Sequence, residues 1–512
     1  MSHSYAYWFP EKTDKQSISQ LQAVAKNLAK ELTKIQRELQ FPVLKLPPKQ
    51  QAFLAEILVD FLLDLRCGSG IWAALERCNQ TILGTPLPIV TSTKGELPSG
   101  LCRERLHFLL WNIYPQFDPG VVISPKHVDL LVIVEAMLPV LKDIQSSLPD
   151  VSPIKTFLDR PNDYGWEVKR KLVWLGTKSF LFRFLFENYI EDECDGDYNV
   201  NHTDDFACQH STPWSGLGVI DILAEYLDVP PKQKEELRSW YLRHHSVYKI
   251  VKKNAETEEA VNLINDEPYL IRHAASNGPE PSIFKKGDTI HGSLVPWKGE
   301  WYWSGQQYDY TPFSKKDIEE VLRELRMNTN IVCRYWKKRE KAVQEGFQHH
   351  HDMMLEFYGD DFKLFPSGQA WKKAETKRML EIMKKAGRMG QMPNINYPDH
   401  LFQNRNGVAI FLNSSEGMEL MEEFNSVISG LKKNGRSLTP DEDEMIRNWI
   451  QSDSIAPAFV HRVLKEYGGE GSVKFAFRCE TDDPCALEYL LRCNKGHYYR
   501  KRFPCYSISE NH

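Results

Sequence analysis

The chain reads as an α+β protein, predominantly α, with a helical N-terminal domain, a short antiparallel β module and an α+β C-terminal domain. Three observations predict this. Apolar residues recur at three- and four-residue steps through most of the N-terminal half. Over Phe284–Tyr310 the pattern changes to two-residue alternation broken by glycine turns. Helical spacing then returns around one short, wholly apolar run, Gly407–Leu412. The expected domains are residues 1–275, a barrel-like or hairpin module at 283–312, and residues 313–512, with the linker composition of Ala274–Ser282 marking the first boundary.

The first helix is predicted over Ser17–Gln40, where Leu21, Val24, Leu28, Leu32 and Ile35 share one face. After Pro47-Pro48, a second helix carries Phe53, Ile57, Phe61 and Leu62 and stops near Gly68. The stretch Gly84–Gly100 is rich in Pro, Thr, Ser and Gly and reads as loop. Further helices are expected at Leu101–Ile113, His127–Ser146 and Trp166–Tyr189, the last apolar all round at its centre and so buried. An acidic, turn-rich insert follows at Glu191–Asp205, then helices at Leu217–Leu227 and Lys232–His244. Beyond the β module, helices are expected at Lys315–Lys341, Trp371–Gly387, Met418–Leu431, Asp441–Ile450, Pro457–Tyr467 and Pro484–Cys493, with a strand at Gly407–Leu412.

The bulk numbers set limits on function. The chain has 512 residues, 42% hydrophobic and 26% charged, a balance typical of folded chains. A net charge of −5 argues against a dedicated nucleic-acid coat, which needs clustered cations to neutralise phosphate. Ten cysteines without a framework spacing read as reduced thiols, and the N-terminus does not read as a signal peptide. The most apolar run, Leu130–Leu141, contains Glu135 and Pro139 and is too short for a bilayer. A cytoplasmic protein is the expectation, with no membrane partner.

The sequence contains no phosphate loop, no H-E-x-x-H helix, no G-x-S-x-G elbow and no G-x-G-x-x-G turn. Four groups resemble chemical sites in part. Glu191–Asn199 imitates the start of a calcium loop, but His202 stands where the chelating Glu belongs. Asp163, Glu167 and Lys169 contain the E-x-K of metal-dependent nucleases, yet on a predicted helix rather than a strand. Cys485, Cys493, His497 and Cys505 lack the tight pair that makes a zinc site specific. The candidates for a transition metal are His349, His351, Asp352 and Asp361, beside His350 and Asp360. Adjacent helical histidines diverge, so a surface run is the plainer reading.

Two basic segments interleave with aromatics, as a nucleic-acid surface requires: Arg334, Lys337, Lys338 and Arg339, then Arg500, Lys501 and Arg502. Their plain reading is a solvated face. Trp297, Trp301 and Trp303 in the β segment would form a protein-binding patch if exposed, and a small barrel core if not.

The segment Gly287–Pro296, followed by Glu300–Gly305, resembles a bacterial protein family known only as a domain of unknown function. His107–Ile113 and Asn406-Gly407 before Val408–Leu412 are similar too. The resemblance implies a prokaryotic cytosolic setting and supplies no activity, cofactor or site residue. The expected function is non-enzymatic: an interaction protein with a protein partner, in a bacterial defence or mobile-element assembly. The two alternatives are a nucleic-acid-binding protein using the basic segments and a metal-dependent hydrolase using the His/Asp run.

Overall fold

A computed structural model describes residues 15–91, 97–118, 123–148, 153–273, 283–327, 337–387, 397–433, 437–468 and 485–509. The chain forms two compact units, Met1–Tyr335 and Trp336–His512. It is α+β and predominantly α, as the periodicity predicts.

The first unit opens with helices α1 (Lys15–Arg37), α2 (Pro48–Cys67), α3 (Ile71–Leu83), α4 (Arg103–Phe117) and α5 (Val128–Ser147). Next come α6 (Pro153–Leu158), α7 (Gly165–Lys178), α8 (Arg183–Asp192), α9 (Val200–Gln209), α10 (Val219–Tyr226) and α11 (Pro231–Arg238). Proline at the first turn starts α2, and a left-handed Gly68 ends it. The helical core gathers Trp72, Phe61, Phe108 and Trp214, with Trp72 4.8 Å from Phe61 and 6.3 Å from Trp214 in edge contacts.

Two expectations change here. The run Trp166–Tyr189 is two helices, because Ser179 turns to extended backbone and breaks the ladder. The acidic insert ends early: Asn199 accepts from His202 N and caps α9.

A 3₁₀ turn at Ser239–Leu242 follows α11, and at His244 the chain becomes strand, where helix was expected. Strands β1 (His244–Lys253), β2 (Thr257–Asn262), β3 (Pro268–Arg272), β4 (Thr289–Trp297) and β5 (Glu300–Asp309) close a barrel in the order β1-β2-β3-β5-β4. All neighbours are antiparallel except β3 and β5. The module expected at 283–312 therefore supplies two of five strands, and the other three precede residue 275. The barrel interior holds Tyr248, Ile250, Ala260, Tyr269, Ile271, Ile290 and Leu294, with Trp301 and Trp303 packed on them. Helix α12 (Lys315–Met327) ends the described part of the unit.

The second unit contains α13 (Lys337–Tyr358), β6 (Phe362–Phe365), α14 (Gly368–Lys385), α15 (Asp399–Gln403), β7 (Val408–Asn413) and β8 (Gly417–Glu422). It continues with α16 (Phe424–Lys432), α17 (Pro440–Gln451), α18 (Pro457–Tyr467), α19 (Ala486–Lys495) and β9 (Cys505–Ser509). The sheet order is β6-β7-β8-β9, with β8 and β9 parallel. The helix expected over Met418–Leu431 is half strand. Asn413 accepts from the amides of Ser415 (2.8 Å) and Glu416 (3.3 Å), which folds Ser414–Gly417 into a hairpin turn instead of a helix start. Among the described residues, no helix is long and apolar enough to cross a membrane.

Candidate functional site

The densest chemistry of the first unit lies where the outer face of the barrel meets α7 and α9. Alternation along β1, β4 and β5 points His245, His291, Ser293, Ser304 and Tyr308 outward, because Tyr248, Ile290 and Leu294 point in. Register places His245 opposite Ser293, Ser293 opposite Ser304, and His291 opposite Tyr308. Four side chains then form a continuous hydrogen-bonded row. Ser293 Oγ lies 2.9 Å from His245 Nδ1, His245 Nε2 lies 2.9 Å from His291 Nε2, and His291 Nδ1 lies 3.0 Å from the Tyr310 hydroxyl.

Burial drives His245 down to about 3, with His291 and Arg243 adding to the effect, and burial also lowers His291. Both rings are neutral near pH 7. Two neutral imidazoles meeting through Nε2 share one hydrogen, so the row has two proton arrangements, one donating from Ser293 toward Tyr310 and one the reverse.

Beside this row sits a buried hub. Asp204 of α9 takes ion pairs from Lys169 of α7 and from Arg243. Ser304 Oγ is 2.9 Å from Asp204 Oδ2, and Lys169 Nζ is 2.8 Å from Ser304 Oγ. Arg243 also pairs with Asp205 and donates to Gln209 Oε1 at 3.1 Å. Burial pushes Asp204 up, but the two cations overcome it and hold the carboxyl down to about 2. The hub fastens barrel to helices: each side chain has a partner in it, and of the Arg243 guanidinium only Nε is left over. Ser293 is 5% exposed and Ser304 2%, so neither offers an open nucleophile.

A cavity of about 590 Å³ opens elsewhere in this unit, between the α2–α3 turn, the α6–α7 loop and the end of α10. Gly68 and Gly70 both adopt positive φ and fold the turn tightly. The first amides of α3 belong to Asp64, whose carboxylate accepts from Ile71 N at 3.0 Å and Trp72 N at 2.8 Å. The wall carries charges of both signs: Arg77, Lys155 and Arg160 against Asp159 and Asp228. Arg77 Nε is 2.8 Å from Glu225, Lys155 pairs with Asp159, and the Tyr226 hydroxyl donates to Asp159 at 3.0 Å. Beneath the rim, buried Lys171 donates to Asn162 Oδ1 at 2.6 Å and to the Arg160 carbonyl, and burial brings its ammonium down to about 8. The second unit has its own cavity of about 360 Å³ between α13 and α14, lined in part by His349, Phe357, Arg378 and Lys385.

The residues singled out from the sequence fall as follows. Trp297 is fully buried and donates from Nε1 to the Asn162 carbonyl at 2.9 Å, while Trp303 donates to Glu258 at 3.1 Å from the barrel side. Trp301 and Trp303 are partly buried against the barrel core. His350 contacts the Tyr506 hydroxyl at 2.9 Å, His351 contacts Asp352 at 3.3 Å, and Asp360 and Asp361 both bind Arg462 at 3.0 Å. Among the described residues, no three His, Cys, Asp or Glu side chains are placed to hold a metal ion. Cys485 and Cys493 lie at the two ends of α19, and Cys505 opens β9. Glu167 caps its own helix through Tyr164 N at 3.0 Å, and Lys169 belongs to the Asp204 hub.

Arg334 lies outside the described residues. Lys337 and Lys338 are exposed, and Arg339 is half-buried. Lys501 pairs with Glu340 at 2.8 Å, while Arg502 pairs with Glu416 at 3.2 Å and covers the Tyr498 ring at 3.9 Å. The second basic segment is thus largely engaged with its own unit.

Sequence reasoning missed His245, His291, Ser293, Asp204 and Arg243. The alternation in Gly287–Pro296 was the one usable signal, since it sets His291 and Ser293 on a common face.

The first unit is thus a helical protein with an embedded five-stranded Greek-key barrel, the architecture of the OB-fold. Such barrels use strands 2 and 3 for oligomeric ligands. Here the outward residues of those strands include Glu259, Val261, Pro268 and Leu270, with no aromatic platform among them. No protein-family model, no curated protein and no solved structure matches the chain.

Proposed function

We propose that the chain is a non-enzymatic binding protein, and that its site is the 590 Å³ cavity of the first unit, which takes a small polar ligand carrying charges of both signs. The cavity carries the reading. Its volume suits a small molecule, and its wall sets three cations among carboxylates instead of offering one sign. Exposed ion pairs such as Arg77–Glu225 and Lys155–Asp159 are worth little in water, so a zwitterion can exchange with them at small cost. The saturated Asp204 hub supports a structural rather than catalytic use of the seam.

A thermal-shift screen of the full chain against free amino acids, amino sugars and their phosphates tests the proposal. At least one zwitterionic compound should raise Tm by about 2 °C or more, and the Arg160→Ala/Asp228→Ala variant should lose that shift. No shift with any compound, or a shift that survives the double substitution, would overturn it.

A further inference from the structure

We propose that the seam between barrel and helices is an acid-released latch, held shut by the neutral His245–His291 pair. The inference stands on the geometry of the seam and does not depend on what the cavity holds. The two Nε2 atoms are 2.9 Å apart, leaving room for one hydrogen between them. A first added proton can be placed, with His245 donating to both Ser293 and His291. A second cannot, since two N–H groups would then point at each other across that distance.

Burial opposes even the first proton, and the surrounding charges act on His245 in both directions. Lys169 faces the seam from α7, Asp204, Asp205 and Cys208 from α9, Arg243 from the turn before β1, and the Tyr308 and Tyr310 hydroxyls from the end of β5. Lys169 and Arg243 are matched by Asp204 and Asp205, and Asp204 favours a charged His245 while Arg243 and His291 oppose it. Glu324 of α12 acts on Tyr310, at the outer end of the row.

The sign follows. Both folded histidines titrate below their ordinary value, and His245 near 3, so their contribution to a closed seam is complete above about pH 6.5. It is lost progressively as pH falls below that, because a released histidine takes up the proton that the closed seam refuses. One such histidine makes opening about 30-fold more favourable at pH 5 than well above pH 6.5.

Hydrogen exchange of the full chain at pH 7.5 and 5.0, corrected for the intrinsic rate, reads this directly. Peptides from β1 and α9 should gain about 30-fold or more in opening, while peptides from α1, which has no histidine, change much less. Replacing both histidines by glutamine (His245→Gln, His291→Gln) should flatten the difference. Seam peptides that merely track α1, or a glutamine pair that keeps the full pH effect, would overturn the latch. If that variant does not fold, the wild type decides through ¹³C-histidine NMR. The ring signal assigned to His245 should stay silent down to pH 5, and its titration near pH 6.5 would overturn the latch.

Discussion

Asp204 shows how a single carboxylate can decide the behaviour of a seam. Replaced by Asn, it would leave Lys169 and Arg243 buried with one carboxylate, Asp205, between them. Breaking such a pair costs more than its net worth, because the orphaned charge stays out of water. Asp204→Asn should therefore lower stability by about 3–5 kcal/mol in urea unfolding, and a change under about 1 kcal/mol would remove the hub from the account. Glu419 in the second unit tests the opposite case. Burial lifts its carboxyl to about 8 although Ala456 N donates to Oε2 at 2.9 Å. The folded form favours the protonated acid, so this contribution is full below about pH 4.5 and is lost as pH rises toward 8. Glu419→Gln should make the stability of that unit flatter over this window, by on the order of 2 kcal/mol at pH 7.5. A pH profile parallel to wild type would contradict it. At this scale the sequence disclosed little. Lys169 was visible inside an E-x-K pattern, but its partners Asp204 and Ser304 sit on α9 and β5, and no spacing rule links them.

Among the elements, legibility followed the chemistry of the buried face. The helices α1, α2, α17 and α18 bury aliphatic or aromatic residues at helical steps, and their expected bounds stand within a few residues. Strand β1 escaped because its inward face begins with His244 and Ser246, so hydrophobic alternation starts only at Tyr248. Strand β8 escaped because Met418, Leu420 and Met421 also satisfy helical spacing, and only the pairing with β7 and β9 selects the strand. Two glycines mark where elements press together. A Cβ on Gly165 would meet the Tyr302 ring at 2.5 Å, so Gly165→Ala should separate α7 from β5 and destabilise the first unit by about 1–3 kcal/mol. Gly417 has φ of +115°, and a Cβ there would lie 1.7 Å from the Cys505 carbonyl. Gly417→Ala should release β9, measured as faster proteolysis after residue 500. Unchanged proteolysis would show that β9 is not held by this register.

For the whole molecule, the fold class was legible because helical period, two-residue alternation and one apolar strand occupy different stretches of the chain. The cavity was not, because its wall is assembled from α3, α6, the end of α10 and the neighbouring loops, whose charged residues look solvated when read alone. From the barrel, Trp297 donates to the Asn162 carbonyl of that wall, beside the Lys298–Asp163 pair. Trp297→Phe should accordingly keep the fold while weakening the ligand. Equal affinity in the two proteins would separate this bond from function.

Calorimetric titration of the full chain with the compound that stabilises it best reads directly whether this cavity binds a ligand. One site per chain is expected, lost in Arg160→Ala/Asp228→Ala and retained in Lys501→Ala. Binding that persists in the cavity variant and disappears in Lys501→Ala would place the site elsewhere.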